Sequence, residues 1–577
     1  MKKFLAALLL LSQTAVSAQA FVTRFERSGG KESADYFEII RWWRQLDDAS
    51  STVRMRAMGP TDAGFPLHLV TVSAQGIHDL ATVRKKNLRI ILINNGIHPG
   101  EPDGIDASML LARDIVAGKF RLPPNVVLAI IPVYNIGGCL NRSPNYRVDQ
   151  NGPLEKGSRG NSQNLDLNRD FIKCDSREAR SFTEIFHLLD PDVFVDNHVS
   201  NGADYQHVMT LLTTQHSKLD SGMARFLRDR FEPELYQRMH DKGYSLVPYV
   251  NVFGENVENG WPAFWDSPRY GSGYAALWHT FSFVPETHML KPYDLRVRAT
   301  KALMESFIGF TSQWGEKIAE VRQNAKARTR DADSLPLSWS LDRARADSIW
   351  YKGYRSERRV SAVSGLPRLY YDRSRPFEKR VPFYNYYKPE KWVTLPKAYV
   401  IPRGWWRVID LLKLNRVRMR QLARDTLLDV EVYRIDDYRA ASRQYEMHHP
   451  NSDVKVSTSS RKMIFRKGDY YIPMNQPANR FLVATLEPQA EDSYFTWNFF
   501  DAILGQKEGF SAYAFEDSAA AYLARQPGLR TRLEERRRTD SSFARSARAQ
   551  LNFVYENSPW MEPEYLRYPV YRVRLVD

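Results

Sequence analysis

Short apolar runs alternate with segments of helical spacing through the first half of the chain, and this alternation limits the folds open to it. Residues 105–116 and 177–189 have the spacing of helices. Buried strands are predicted for the apolar runs 88–93, 126–133, 192–196 and 280–284. This order predicts an α/β fold, with a mostly parallel, mixed central sheet and helices on both faces.

The pattern changes near residue 335. A polar helix predicted for residues 300–330 leads into a charged stretch, and the sequence beyond it is rich in aromatic residues. Strands are predicted there at 398–401, 430–433 and 481–484. A chain of 577 residues is also too long for one ordinary core. We therefore predict a first domain at 21–335 and a separate α+β domain at 336–577, whose role the sequence does not indicate.

The first twenty residues have the composition of a secretory signal. Lys2 and Lys3 precede the apolar run 4–11, and residues 18–20 form a small-residue cleavage site. No later run approaches the roughly 20 apolar residues of a membrane-spanning helix. The mature chain is therefore expected to be exported, periplasmic or secreted, with no transmembrane segment.

Charge and cysteine content limit which binding partners and which cross-links we expect. The net charge is +15, and residues 341–577 hold 42 basic against 29 acidic side chains. Because the two signs are interspersed, we interpret the excess as a solvated surface and expect no nucleic-acid partner. Cys139 and Cys174 can form a disulfide in an exported protein or remain two buried thiols.

Metal ligands are predicted at the ends of two strands. His98 and Glu101 lie three positions apart in a turn rich in Gly and Pro, and His198 follows another predicted strand. Ligands collect beyond the carboxyl ends of strands in sheets of this type. Two His and one Glu are a known catalytic zinc set that leaves a position for water. We predict one Zn²⁺ per chain at these three residues.

Groups for substrate binding and proton transfer follow the same strands. The fork of Arg169 and the amide of Asn168 suit a carboxylate, and Asp166 suits the free N–H of a zinc-bound His. If residues 164–170 are extended, Asp166, Asn168 and Asp170 share one face. Glu286 follows apolar residues, and its desolvation favours a general base.

This ensemble resembles the carboxypeptidase A-like zinc metallocarboxypeptidases. The motif His98-x-x-Glu101, the Asn168-Arg169 pair, His198 and Glu286 occur in that family's order, over about residues 35–315. The resemblance implies hydrolysis of C-terminal peptide bonds by a zinc-activated water, with Glu286 as general base. It implies peptide substrates whose free C-terminal carboxylate is held by Asn168 and Arg169, and Asp166 as the partner of His98.

Two family positions have no unique match in this sequence. The arginine that polarises the scissile carbonyl can be Arg142, Arg147 or Arg159, and the mobile tyrosine can be Tyr270 or Tyr274. The preferred C-terminal residue and the oligomeric state are not indicated. Two other functions stay open, namely a zinc amidase acting on peptidoglycan stem peptides or other non-standard amides and a non-catalytic zinc-containing binding protein.

Overall fold

A mixed nine-stranded sheet forms the centre of the N-terminal region (residues 21–330). The computed structural model describes residues 21–574, so the predicted signal segment lies outside the described residues. The strands are β1 Val53–Pro60, β2 Pro66–Ser73, β3 Arg89–Asn94, β4 Val126–Ile131, β5 Val193–Asp196, β6 His198–Ser200, β7 Met209–Thr213, β8 Val247–Pro248 and β9 Phe281–His288. Their order is β1-β2-β4-β3-β5-β9-β7-β8, with β6 also paired to β9.

The middle of this sheet is parallel and its edges are mixed. Strands β4, β3, β5 and β9 run parallel to one another, whereas the pairs β1–β2, β2–β4 and β7–β9 are antiparallel. The carboxyl ends of the parallel strands therefore meet at one edge of the sheet. The predicted mixed, mostly parallel sheet is confirmed.

Helices cover both faces of the sheet because its central strands are apolar on both sides. In β3, Ile91 and Ile93 belong to one buried core and Ile90 and Leu92 to another. The first core includes residues of helices Tyr36–Ala49, Asp103–Val116, Ser221–Phe226, Glu232–Asp241 and Tyr293–Arg330. The second includes residues of Arg177–Leu189 and Gly271–Leu277.

The C-terminal region (residues 334–574) is an α+β region, as predicted. Its strands are β10 Ser334–Leu341, β11 Asp347–Val360, β12 Pro367–Tyr384, β13 Tyr387–Thr394, β14 Ala398–Ile401, β15 Arg420–Gln421, β16 Thr426–Ala440, β17 Asn451–Phe465, β18 Tyr470–Pro473 and β19 Tyr571–Val573. Six of them form an antiparallel sheet in the order β15-β18-β14-β19-β16-β17. Its helices include Trp406–Leu414, Asn479–Leu486, Ala512–Ala524, Pro527–Thr539 and Ala547–Glu556.

The two regions share a hydrophobic core. Phe182 and Phe186 of the N-terminal helix Arg177–Leu189 belong to the same buried cluster as Tyr399, Phe481 and Trp497 of the C-terminal region. Burial of this kind is the main force that holds packed layers together. The C-terminal region is therefore fixed against one face of the sheet, on the side of helix Arg177–Leu189. The boundary near residue 335 stays a prediction.

Two local predictions are wrong. Residues 481–484 lie in the helix Asn479–Leu486, because a short apolar run does not by itself distinguish a strand from a buried helix. Residues 164–170 are not extended, since Leu167–Arg169 forms a 3-10 turn. Asp170 is consequently buried and accepts hydrogen bonds from Lys173 and Ser176, away from Asn168.

Three smaller features complete the fold. Strand β9 continues to His288, so Glu286 lies within it rather than after the predicted 280–284, and the long helix begins at Tyr293. Cys139 and Cys174 are free, buried thiols in the two different cores. Among residues 21–574, no helix combines the length and the apolar character needed to cross a membrane.

Candidate active site and metal centre

The turn after β3 presents His98 and Glu101 toward the sheet edge. Gly96 has a φ of 65°, a left-handed conformation that suits glycine, and the Glu101 N–H donates to the His98 carbonyl across 2.8 Å. Gly100 also has no room for a side chain, because an added Cβ would lie 2.8 Å from the Gly157 carbonyl oxygen. Pro102 directly precedes the helix Asp103–Val116. This short turn fixes both side chains, which are buried.

His198 reaches the same place from the start of β6. Its Nδ1 lies 3.1 Å from Oε2 of Glu101, and His98 Nδ1 lies 3.2 Å from Oε1 of the same carboxylate. One potential ligand atom from each residue falls within 4.8 Å of the others. Zinc bonds of about 2.0–2.1 Å in a tetrahedral site separate ligand atoms by about 3.3 Å. These three side chains therefore fit a zinc ion.

Carboxylates orient both histidines from their outer nitrogens. His98 Nε2 is 2.9 Å from Asp166 Oδ1, and His198 Nε2 is 3.2 Å from Asp196 Oδ2. A proton held on His98 Nε2 by Asp166 leaves its Nδ1 unprotonated and directed at the common centre, and the charge of Asp196 favours the same tautomer of His198. The structure thus brings Asp166 to His98, and it adds Asp196, which the sequence analysis missed. The signal for Asp196 was present, because alternate residues of an extended segment share a face.

Loss of either orienting carboxylate is expected to weaken zinc binding. Asp166→Asn and Asp196→Asn should each lower zinc affinity by about 10- to 100-fold, because the amide stabilises the correct imidazole tautomer less well. A chelator-competition titration at fixed pH measures this. Asp331→Asn, at an exposed carboxylate outside the cleft, is the matched control. Unchanged affinity in both variants would show that these carboxylates do not support the metal.

Two arginines border the three candidate ligands. Arg147 contacts Glu101 through Nη1, and its Nη2 donates to the Val199 carbonyl across 3.0 Å. Arg159 Nη2 lies 2.8 Å from Asp166 Oδ2, and 49% of its side chain is exposed. Although burial favours the neutral acid, Arg147 and His98 hold the pKa of Glu101 well below its usual range. Glu101 is therefore charged, as a metal ligand must be.

Glu286 lies opposite His198 in the pairing of β9 with β6. It faces the same cleft of about 570 Å³ as the three candidate ligands, Asn168 and Arg169. Burial raises the pKa of Glu286 to about 8, against the opposing effect of His198. The cleft thus contains the desolvated carboxyl group of Glu286, and arginine side chains line its wall.

Arg169 has a defined position in that wall. Its Nε donates to the Tyr445 hydroxyl across 3.0 Å, and its Nη1 donates to the Asn168 carbonyl across 2.9 Å. Its guanidinium carbon lies 4.7 Å from the centre of the Tyr270 ring. Stacking and these hydrogen bonds restrict the guanidinium while one edge still faces the cleft.

Two sequence candidates lie elsewhere. The Tyr274 hydroxyl is buried and donates to Asn415 across 2.6 Å, so Tyr270 rather than Tyr274 lines the cleft. Arg142 donates to the carbonyls of Ser33 and Ala34 and does not line the cleft. The candidates for the carbonyl-polarising arginine are thereby reduced to Arg147 and Arg159.

The C-terminal region contributes to the edge of the site. Besides Tyr445, which binds Arg169, the Glu446 carboxylate accepts the Asp166 N–H across 2.9 Å. His448 lies 2.9 Å from Asp175 on the same side. These contacts join residues more than 270 positions apart, and no local pattern in the sequence predicted them.

Comparison with protein families agrees with this geometry. Residues 39–201 match the Peptidase_M14 family, described as zinc carboxypeptidase. Over these residues the chain is similar to zinc carboxypeptidases. This segment contains His98, Glu101 and His198, and Asn168 and Arg169 as well. The predicted family and its zinc cofactor are confirmed.

Solved structures with partial similarity are also metallocarboxypeptidases. They include a metallo-carboxypeptidase from Pseudomonas aeruginosa in complex with (2-guanidinoethylmercapto)succinic acid, at 14% identity over 49% of this chain and 68% of that chain, TM-score 0.37. Carboxypeptidase A from Helicoverpa armigera is 15% identical over 51% of this chain and 74% of that chain, TM-score 0.36. A metallo-carboxypeptidase from Burkholderia cenocepacia is 14% identical over 48% of this chain and 68% of that chain, TM-score 0.35. No curated protein matches this chain.

Proposed function

We propose that this zinc carboxypeptidase is an exported enzyme that removes residues from the C-terminal ends of peptides. The observation that carries the proposal is that Arg169 and Asn168 line the same cleft as Glu286 and the three candidate zinc ligands. A carboxylate anchor beside a hydrolytic centre selects the terminal peptide bond, because an internal residue has no free carboxylate to bind.

Substrate binding depends on the fork of Arg169. Since Nε is bound to Tyr445 and Nη1 to the Asn168 carbonyl, the guanidinium is held in one orientation before substrate arrives. A carboxylate that meets this group forms short, charge-assisted hydrogen bonds, to which the Asn168 amide can add another. Pre-orientation reduces the entropy that binding would otherwise cost.

Proton transfer belongs to Glu286 in this proposal. Bound zinc would polarise the scissile carbonyl and make water a stronger nucleophile near neutral pH. Glu286, half-buried in the cleft wall, would take the proton of the attacking water and then deliver it to the departing amine. Desolvation raises the pKa of Glu286, so its carboxylate can accept a proton from the water and its carboxyl group can release that proton to the amine.

Arg159 is the better placed of the two arginines to stabilise the developing oxyanion. Arg147 is occupied on three sides, since Nε, Nη1 and Nη2 donate to Gln150, Glu101 and the Val199 carbonyl. Arg159 pairs with Asp166 through Nε and Nη2, but its Nη1 points toward the candidate ligands, 3.3 Å from His98 Nδ1, and half of its side chain is exposed. A fixed cation at that position stabilises negative charge that forms on the carbonyl oxygen.

Export is supported by residues 1–20. The order of two lysines, a short apolar run and the small residues 18–20 is typical of a cleaved secretory signal. We accordingly propose a periplasmic or secreted enzyme that meets peptides outside the cytoplasm.

A mixed peptide library tests the reaction class. After incubation with the purified, zinc-loaded protein, mass spectrometry is expected to show products shortened by single C-terminal residues. Prior removal of zinc with a chelator should abolish these products, and zinc should restore them. Products cut at internal bonds would contradict the exopeptidase assignment. Cleavage confined to peptides containing D-residues would instead favour an amidase acting on peptidoglycan stem peptides.

A further inference from the structure

The hairpin of β11 and β12 ends in a ribbon of two strands. From Arg355 to Val360, β11 pairs with β12 residues 367–372, and residues 361–366 form the tip. Within the described residues, the other strand paired with β12 is Trp261–Pro262, which contacts it only at the base, at Phe383 and Tyr384. Beyond that base, Arg358 and Tyr371 of the ribbon donate to the carbonyls of Gly254 and Glu255, so it is the tip that projects away from the N-terminal region.

Apolar side chains occupy the tip of this ribbon. Val360 is 75% exposed, Val363 98% and Leu366 67%. The turn itself contains the residues usual for a tip, Ser361, Ser364 and Gly365, and the aliphatic side chains project around them. Three exposed aliphatic residues within the seven positions 360–366, at the end of a projecting hairpin, therefore indicate a contact surface.

A collar of arginines lies directly behind the apolar tip. Arg359 and Arg368 are cross-strand partners, and their guanidinium carbons lie 3.5 and 5.5 Å from the ring centre of Tyr370. Like charges opposite each other destabilise a strand pair, and an anionic partner would offset that cost.

One acidic side chain partly balances this collar. Glu357 forms ion pairs with Arg359 and, across 3.1 Å, with Arg375. Arg355 pairs with Glu258 of the N-terminal region at 3.0 Å. From 355 to 370, four arginines still stand against this single glutamate, so the end of the hairpin remains cationic.

The tip of the other long hairpin, β16–β17, is covered by contacts with the N-terminal region. Strands β16 and β17 are joined by residues 441–450, and Tyr445, Glu446 and His448 of this tip contact the N-terminal region. The tip at 361–366 makes no comparable contact within residues 21–574. Its apolar side chains are free for a partner outside this chain.

We propose that the β11–β12 hairpin docks this protein on an anionic phospholipid bilayer. Val360, Val363 and Leu366 enter the boundary between headgroups and acyl chains, and the guanidiniums of Arg359 and Arg368 meet the phosphates. At about 3.3 Å per residue, the tip extends roughly 10 Å beyond the collar, close to the roughly 5–10 Å depth of interfacial segments. Tyr370 lies at the level where an aromatic ring with a polar end is favoured.

Vesicle co-sedimentation tests this proposal. The zinc-loaded protein is mixed with phosphatidylcholine vesicles that contain or lack phosphatidylglycerol. Binding to the anionic vesicles is expected to be at least about 10-fold stronger, and to fall as added salt shortens the Debye length from about 10 Å toward 3 Å. Val363→Asp should lower binding by at least about 10-fold, since a charge would enter the interface.

Control variants separate docking from a general surface effect. Leu154→Asp changes another exposed aliphatic residue, in the N-terminal region, and should bind vesicles like the parent. Hydrolysis of soluble peptides by Val363→Asp should equal that of the parent, which shows that the variant is folded. Equal sedimentation of the parent with both vesicle types would overturn the proposal. So would undiminished binding of Val363→Asp, or parent binding to DNA that exceeds its binding to anionic vesicles.

Discussion

Glu286→Gln is expected to lower turnover by at least about 10²-fold, the usual scale for loss of a general base. The amide cannot take a proton from water, so the attacking group loses its activation. The fold should survive, because the amide is nearly isosteric with a carboxyl group whose pKa burial already raises to about 8. Steady-state hydrolysis with parallel zinc analysis measures the effect.

The matched control is a glutamate outside the cleft. Glu320 is exposed on the helix Tyr293–Arg330 and pairs only with Lys317 among the described ion pairs. Glu320→Gln should keep activity within about 2-fold of the parent, since surface pairs contribute little. If Glu286→Gln retains zinc and also works within a few-fold of the parent, Glu286 has no role in proton transfer.

Arg169→Ala is expected to remove the preference for a free C-terminal carboxylate. Each charge-assisted hydrogen bond of the anchor is worth about 1.5–3 kcal/mol, so loss of the guanidinium should lower kcat/KM for free peptides by about 10²-fold or more. Amidated peptides, which never used the anchor, should be cleaved about as poorly as before. Arg169→Lys should restore little, because an ammonium group lacks the planar fork.

Tyr445→Phe tests a smaller part of the same anchor, because Tyr445 of the C-terminal region makes one hydrogen bond to Arg169. The variant removes the hydroxyl that accepts from Arg169 Nε but leaves the ring in place. We expect an increase in KM of about 3- to 10-fold for free peptides, with kcat preserved, from the loss of one hydrogen bond to a charged group. Arg177→Ala, at an exposed arginine on the helix after the anchor, should change neither parameter. A KM unchanged in Tyr445→Phe would mean that Arg169 is positioned without the C-terminal region.

The central sheet and the proposed metal site follow from local patterns in the sequence. Residues 90–93 are apolar on both faces, so a buried strand is the state that their sequence favours. Polar side chains directly after such strands, His98 among them, then fall at one edge because the strands are parallel. Glu286 was placed near that edge for the same reason, although it lies within its strand.

Other parts of the site depend on contacts between distant segments. The turn Leu167–Arg169 forms because Asp166 accepts the Asn168 N–H and caps it, which no alternation of polarity reveals. Tyr445 reaches Arg169 through the packing of a C-terminal hairpin against the N-terminal region. Tyr270 and Tyr274 differ by about one helical turn, and only the core around Phe186 and Asn415 decides which one is buried.

The most direct test of the central claim compares one peptide with a free C-terminus and its C-terminal amide. Both are assayed on the zinc-loaded parent protein, and the ratio of their kcat/KM values is measured. A carboxylate-anchored exopeptidase should favour the free peptide by about 10²-fold or more, because the amide leaves the Arg169 guanidinium without a charged partner. Equal rates for the two peptides would contradict the account and identify the enzyme as an endopeptidase or amidase.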